Sequence, residues 1–455
     1  MLDNLKFAQY VNEERKKLIK STRERGVYVS DNAQLSEVVA RNSEIQPYGA
    51  TSTDKVSVTF LDADGTLLKR EYLDIGGTAT APSNPTLDSD YLIFDSWSDT
   101  ELTNITESKT IYATYTTKDN ATYIFIYIPT ANKAISLSFG GTITSVDWGD
   151  GTTDATKSHT YSAIGDYVIK VVGGNSITSY ILGSSSNNAC VLKCYLSNVI
   201  TNLSYYVFSQ SLLKSISLPS SITNIGSNVF ASCYPLTSIY IPSSVTTIGT
   251  NAFYDCHSLT NINLPSSIKS IGQYAFEYCY SLTSITLPDS IRSFDGYTFA
   301  NCSSLKSISL PSGITSLNSY MFSNCYSLTS ITLPDSIISL SGTFNRCYSL
   351  RDINLPSSIQ EIYSNSFSKC SSLTSINLPS GITSLDSNVF DECWGLQQVV
   401  INANSVITIQ SSTFTSAAVN GTKFYVPDNL VEDYKVATNW VNFADRIYPL
   451  SSLGV

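Results

Sequence analysis

The side chains able to carry chemistry are few in this sequence, and most of them recur at a fixed spacing. Two histidines occur, His159 and His257, and neither has a serine or cysteine at the spacing of a nucleophile–base pair. That removes most covalent hydrolytic mechanisms, so no catalytic residue is assigned and an enzyme is not expected. Ten cysteines are present, eight of them at Cys233, Cys256, Cys279, Cys302, Cys325, Cys347, Cys370 and Cys393. Metal ligands must converge on one point, whereas one thiol per repeat gives a line, so no metal or other cofactor is expected. Parallel Cβ vectors on neighbouring units also suit a disulfide poorly, which leaves buried thiols packed as small apolar groups. Cys190 and Cys194, four residues apart, are the one pair placed for a bridge.

Two acidic clusters look like calcium loops in part. Asp62-Ala63-Asp64-Gly65 opens like an EF-hand loop, but its twelfth position is Leu73, where a bidentate glutamate is required. It reads as a hairpin turn. Asp147, Asp150 and Asp154 are the better calcium candidate, weighed against a plain turn. No phosphate-cradling glycine loop, G-x-S-x-G or H-E-x-x-H string occurs.

What positions these residues is a repeat. Pro219, Pro242, Pro265, Pro288, Pro311 and Pro334 recur every 23 residues, and Pro356 and Pro379 continue the series after a one-residue deletion. Phe230, Phe253, Phe276, Phe299, Phe322, Phe344, Phe367 and Phe390 keep the same rhythm. In each unit an L-x-x-I-x-L string forms a short strand that the proline ends by removing a ladder donor. No single unit can bury its own apolar face, but stacked units bury a continuous one. About nine units stacked at ~4.8 Å give an array of roughly 40 Å. Phe208 and Phe414 mark degenerate end units. The tail over Thr422 to Leu450 reads as a strand and an amphipathic helix, whose Val431, Tyr434, Trp440 and Phe443 close the last rung.

Side chains alternate along a strand, so the positions flanking the central isoleucine face outward. They are Ser238 and Tyr240, Asn261 and Asn263, Ser284 and Thr286, Ser307 and Ser309, Ser330 and Thr332, Asp352 and Asn354, and Ser375 and Asn377. A second row follows the cysteines: Tyr234, His257, Tyr280, Tyr326, Tyr348 and Trp394. Rings at this spacing suit contact with carbohydrate or protein by stacking; the plainer reading is that they cover the turn and stiffen the array.

The string F-x-x-C-x-x-L-x-x-I-x-L-P-x-x-I-x-x-I resembles the BspA-like leucine-rich repeats of surface proteins from bacteria, some protists and their phages. Upstream, SVDWGDGTTDATKSHTYSAIGDYVIKV is similar to PKD domains, small β-sandwiches of the immunoglobulin type. That likeness implies a core ring at Trp148, a turn at Asp150-Gly151 and inward Tyr161, Tyr167 and Val171. The segment from Val56 to Thr116 resembles the β-grasp-like Listeria–Bacteroides repeat, through V-T-F-x-D-x-D-G-T-L-L, the Phe94/Trp97 pair and the closing I-Y-A-T-Y strand. The first 45 or so residues, two helical stretches around R-G-V-Y-V, resemble an N-terminal segment of phage tail and fibre proteins.

The fold expected is therefore mainly β: a leucine-rich-repeat solenoid (190–421) with a C-terminal cap (422–455). A β-grasp-like domain (55–118) and a PKD-like sandwich (119–174) precede it, after a helical attachment segment (1–47). Charged residues are only 14% and the net charge is −10, so the surface must be built from hydroxyls, amides and phenols, and neither nucleic acid nor an anionic membrane suits it as partner. No apolar stretch approaches the ~20 residues of a membrane span, and residues 1–20 lack a signal-peptide pattern. These features lead to a non-catalytic binding protein, with two settings. One is a virion component of tail-fibre type that meets a host-surface protein or glycan through the solenoid and other virion proteins, or further copies of itself, through its N-terminus. The alternative is a BspA-like adhesin on the bacterial cell surface or secreted.

Overall fold

The computed structural model describes residues 55–62, 66–87, 90–188, 190–415 and 421–453. The expected helical attachment segment and the Asp64-Gly65 turn lie outside the described residues. Among the described residues no helix is long and apolar enough to cross a membrane.

The first sheet is built from β1 (Lys55–Leu61), β2 (Leu67–Asp74), β3 (Leu92–Trp97) and β4 (Lys109–Thr117), in the order β2-β1-β4-β3. Alternation along β1 turns Val56, Val58 and Phe60 inward, where they form a small core with Ile105 and Ile111. Trp97 closes it edge-on against both Phe60 and Phe94, at 5.3 and 5.4 Å. Where β1 hands over to β2, the Asp62 N–H bonds the Thr66 carbonyl, and the Asp62 carboxylate accepts from the Tyr115 hydroxyl at 2.6 Å.

After a short turn with Asn120 in the left-handed region, the chain continues as β5 (Ala121–Ile128). β6 (Lys133–Ser136), β7 (Phe139–Gly140), β8 (Ile143–Asp147), β9 (Thr153–Asp154), β10 (Ser158–Tyr161) and β11 (Gly165–Gly173) follow. Trp148, Tyr161 and Val171 are fully buried and Tyr167 half-buried. The five-stranded sheet of this region, β13-β5-β11-β8-β9, takes its edge strand β13 (Val191–Tyr195) from beyond residue 190. Its buried side chains, from Ile124 onward, belong to the same continuous core as those of the repeats.

The repeats stack as a mainly parallel solenoid of about twelve turns. One ladder runs from Tyr195 through Ser217, Tyr240, Asn263, Thr286, Ser309 and Thr332 to Asn354, and again from Asn377 through Val400 and Tyr425 to Tyr448. Twelve rungs exceed the nine legible units because β13 supplies one at the start, while Lys423–Val426 and Ile447–Pro449 add two at the end without carrying the repeat string. A second ladder begins with β7 antiparallel to β12 (Ser176–Ile177) and runs through Leu203, Ile225, Ile248 and Ile271 to Phe294. Among the described pairings it resumes only at Leu317, which bridges to Leu340. Phe294 stands where neighbouring rungs carry isoleucine or leucine, and the ladder opens directly after it. The phenylalanine column registers the same opening. From Phe208 to Phe414 ten rings stack nearly parallel, with centroids 5.1–5.5 Å apart except at Phe299–Phe322 and Phe322–Phe344, both 5.9 Å.

Both ends are closed by polar side chains that take the place of a missing strand. At the start, buried Asn188 donates to the Val207 carbonyl at 2.8 Å and to that of Ser209 at 3.2 Å. At the finish, the expected single helix is an α-helical turn (Val431–Val436) and a 3-10 stretch (Trp440–Arg446), because Asn439 between them is left-handed. Tyr434, Trp440 and Phe443 are buried against the last rung as expected, with Val431 partly so. The Ile407 N–H bonds the Tyr434 hydroxyl, while Trp440 Nε1 and Asn439 Nδ2 donate to the carbonyls of Ile407 and Ile409, each at 2.7 Å.

Candidate binding surfaces

All ten cysteines are free and buried, Cys190 and Cys194 included. The eight on the repeat do more than fill space. Each thiol donates to the carbonyl of the phenylalanine one rung back, from Cys233 to Phe208 at 2.9 Å through Cys393 to Phe367 at 3.0 Å. Burial pushes the thiol of Cys325 up to about 12, so thiolate chemistry is closed to it.

The aspartates of the Trp148 turn are not brought together. Asp147 accepts the Gly149 N–H, Asp150 pairs with His159 Nε2 at 2.7 Å, and Asp154 accepts from Trp148 Nε1 and the Thr156 backbone. Each carboxylate is spent on its own turn. Among the described residues no group of three or more potential ligands is placed to hold a metal. His159 stacks on Trp148 at 5.0 Å, and His257 is bonded to the Asp255 carboxylate.

On the strand face, Asn261, Asn263, Ser284, Thr286, Ser330, Thr332, Asp352, Asn354, Ser375 and Asn377 are exposed, with Ser307 and Ser309 continuing the row. The isoleucines between them are buried. Register pairs Asn261 with Ser238 and Asn263 with Tyr240, so like positions line up across rungs. The first of these positions is not a free surface. Tyr240 is half-buried beneath the first sheet, its ring 5.4 Å from that of Tyr112, and burial raises its phenol pKa. Ser238 is half-buried beside it. Ser96, Trp97 and Thr114 of the first sheet form a cleft with Asn198, Leu218 and Tyr240. The open strand face thus begins at Asn261.

In the aromatic row Tyr234, His257, Tyr280, Tyr326, Tyr348 and Trp394 are all exposed. Neighbouring rings lie against one another: Tyr326–Tyr348 is stacked at 5.2 Å, while Tyr234–His257 at 4.8 Å and His257–Tyr280 at 5.0 Å are tilted. Within these runs each ring has a ring neighbour on at least one side. The runs are interrupted at Ser303 and Ser371.

A second tyrosine row escaped the sequence reading. Two residues before every column phenylalanine but Phe414 the backbone is left-handed, as at Asn228, Asn251, Asn365 and Asn388, which tolerate it, and at Gly342. Tyr274, Tyr297 and Tyr320 take the same conformation, at a cost of roughly 1 kcal/mol each. Their rings stack at 5.2 Å from one to the next, and Tyr320 lies over Gly342, where an added Cβ would meet the ring at 2.5 Å. The signal was present in the 23-residue spacing of these tyrosines, but it lay outside the motif. Beside them Glu277 is buried, its carboxyl pushed up to about 7 by burial against the Asn301 amide bond at 3.1 Å.

Comparison with known proteins matches this architecture. The family model of the BspA-type leucine-rich repeat region fits six copies, over residues 174–279, 223–342 and 320–435, more than half of the chain. Among solved structures, a leucine-rich-repeat protein from Bacteroides ovatus is 24% identical, with 63% of this chain and 71% of that one covered and a TM-score of 0.47. A leucine-rich cell-surface protein from Faecalibacterium prausnitzii is 23% identical, with 55% and 89% covered and a TM-score of 0.29. The pneumococcal vaccine antigen PcpA is 19% identical, with 61% and 81% covered and a TM-score of 0.36. No curated protein matches the chain. On its repeats, its thiol and phenylalanine columns and the family match together, the chain belongs to the BspA-type leucine-rich-repeat family.

Proposed function

We propose that this chain is a non-catalytic adhesin of the bacterial cell surface, which holds a host-surface protein or glycan on its solenoid. The observation that carries this reading is the open strand face from Asn261 to Asn377. It is a continuous, exposed array of hydroxyls and amides with few charges, laid over a core that takes nearly all the apolar side chains. Such a face offers many adaptable hydrogen bonds and no long-range field, which suits a polar, weakly charged partner rather than a polyanion. The virion setting rested on the phage-like N-terminal segment, the lack of a signal-peptide pattern and the string of adhesive modules, and the family match adds no support to it; the surface setting fits the family resemblance better.

The test is attachment of the purified full chain to host cells, matrix proteins and a glycan panel, beside protease shaving of intact producing cells. Ser284→Glu with Ser330→Glu puts two charges on the open face without touching the core. Attachment reduced by that pair and loss of the chain on shaving support the proposal. Attachment indifferent to the pair, or a chain recovered only from virus particles, overturns it.

A further inference from the structure

The two breaks in the aromatic row have a geometric consequence. Consecutive rings in the row sit 4.8–5.2 Å apart, one rung each. Ser303 occupies the position where a ring would stand between Tyr280 and Tyr326. The Ser327 N–H bonds the Ser303 carbonyl, so the Ser303 rung lies directly beside that of Tyr326. Two rungs place the flanking rings about 10 Å apart. His257 packs on Tyr280 from the rung before, with Tyr278 T-shaped to the same ring at 5.8 Å, and Tyr348 packs on Tyr326 from the rung after, so neither Tyr280 nor Tyr326 has a row neighbour on its gap side. The gap spans two rungs between the flanking rings, with Ser303 on the rung between them.

We propose that this gap is the seat of one neutral hexopyranose ring, clasped between Tyr280 and Tyr326. The proposal rests on the solenoid surface being a contact surface, and names the chemistry of one part of it. Carbon atoms in contact are about 3.5–4.0 Å apart, so a flat aromatic ring would leave slack in a gap of about 10 Å. A puckered pyranose is thicker, because its axial hydrogens project from both faces, and it presents those C–H groups to the two rings. Its equatorial hydroxyls would then point sideways to the polar rim, where Ser303, Asn324 and the phenol tips supply donors and acceptors. Tyr326 already reaches toward Asn324, its hydroxyl 3.5 Å from Oδ1. Glu277 lies on the rung of Tyr280 and Asp255 on the rung before it, and the chain carries a net charge of −10, which disfavours sialylated or uronic sugars. A neutral glucose- or galactose-type unit fits these conditions.

The experiment is saturation-transfer NMR on the full chain with lactose and cellotetraose. Sorbitol serves as the open-chain control and N-acetyltyrosinamide as the flat competitor. The expected result is transfer to axial ring protons of at least one saccharide and none to sorbitol. Ser303→Tyr completes the row and should weaken that binding at least about tenfold, as should Tyr280→Ser. Unaltered thermal melting of Ser303→Tyr shows that the variant is folded. Saccharide binding that survives Ser303→Tyr, no transfer to either saccharide, or stronger binding of the flat competitor each overturns the proposal. Cell attachment by the Ser303→Tyr chain separates the two levels: if attachment is intact while the saccharide signal is absent, the seat is wrong and the adhesin reading stands.

Discussion

The thiol of Cys256 donates to the carbonyl of Phe230, one rung back, at 3.1 Å. That carbonyl already accepts the Cys233 N–H of its own turn, so each cysteine ties its rung to the one before through an acceptor shared between them. Cys256→Ala removes a weak donor and leaves a small void, and should lower stability by about 1–2 kcal/mol, read as a lower urea midpoint. A shift near zero would mean the thiol only fills space that its neighbours can close.

The same burial makes the thiols inert. The thiols of Cys233, Cys325 and Cys393 are pushed up to about 12 by desolvation. At pH 8 the folded chain should react negligibly with a thiol reagent such as DTNB, and all ten cysteines should react once it is unfolded without reductant. Fewer than ten in the denatured chain would reveal a bridge.

Gly342 serves Tyr320. Gly342→Ala meets both a left-handed backbone (φ 57°) and the Tyr320 ring, so it should destabilise by about 2 kcal/mol or more. In a Tyr320→Asn background only the backbone cost of roughly 1 kcal/mol should remain, and the double-mutant cycle measures the difference.

Glu277 gives the solenoid a pH dependence. Its carboxyl is raised from the usual 4.5 to about 7, chiefly by burial, so the folded chain holds a proton that the unfolded chain releases. The stability it confers is complete below about pH 4.5 and is lost as pH rises through about 7. Glu277→Gln keeps an acceptor for Asn301 and removes the charge. It should be more stable than the parent at pH 8 by on the order of 1–2 kcal/mol, and equal to it at pH 4. Melting curves at the two pH values decide it.

Register, strand direction and core were legible because each unit repeats the same apolar positions, and a stacked array admits one alignment of Phe with Phe and Cys with Cys. The outward strand positions followed from alternation alone. Tyr240 did not, because its cover comes from Tyr112, more than a hundred residues earlier, and depends on how a separate sheet folds back. The number of rungs was short for a related reason: Lys423–Val426 and Ile447–Pro449 pair as rungs but are held by the cap, not by the repeat string. The orientation of Tyr234, His257 and Tyr280 was hidden too. Spacing says that rings are neighbours, and only their rotamers say how they lie against one another.

A stack of near-identical rungs has no internal reason to stop, since any rung can seed the next and copies can join end to end into a filament. Here the two ends do not match. The first rung of the second ladder is met by an antiparallel strand, and the last rung of the first ladder closes with Pro449, which has no N–H to offer. Asn439 and Trp440 occupy the final carbonyls of the other ladder. Neither end is a template for the other, so the rungs give the solenoid a set reach of roughly 50 Å. It is a ruler of set length, on which the spacing between contact points is as fixed as the contacts themselves.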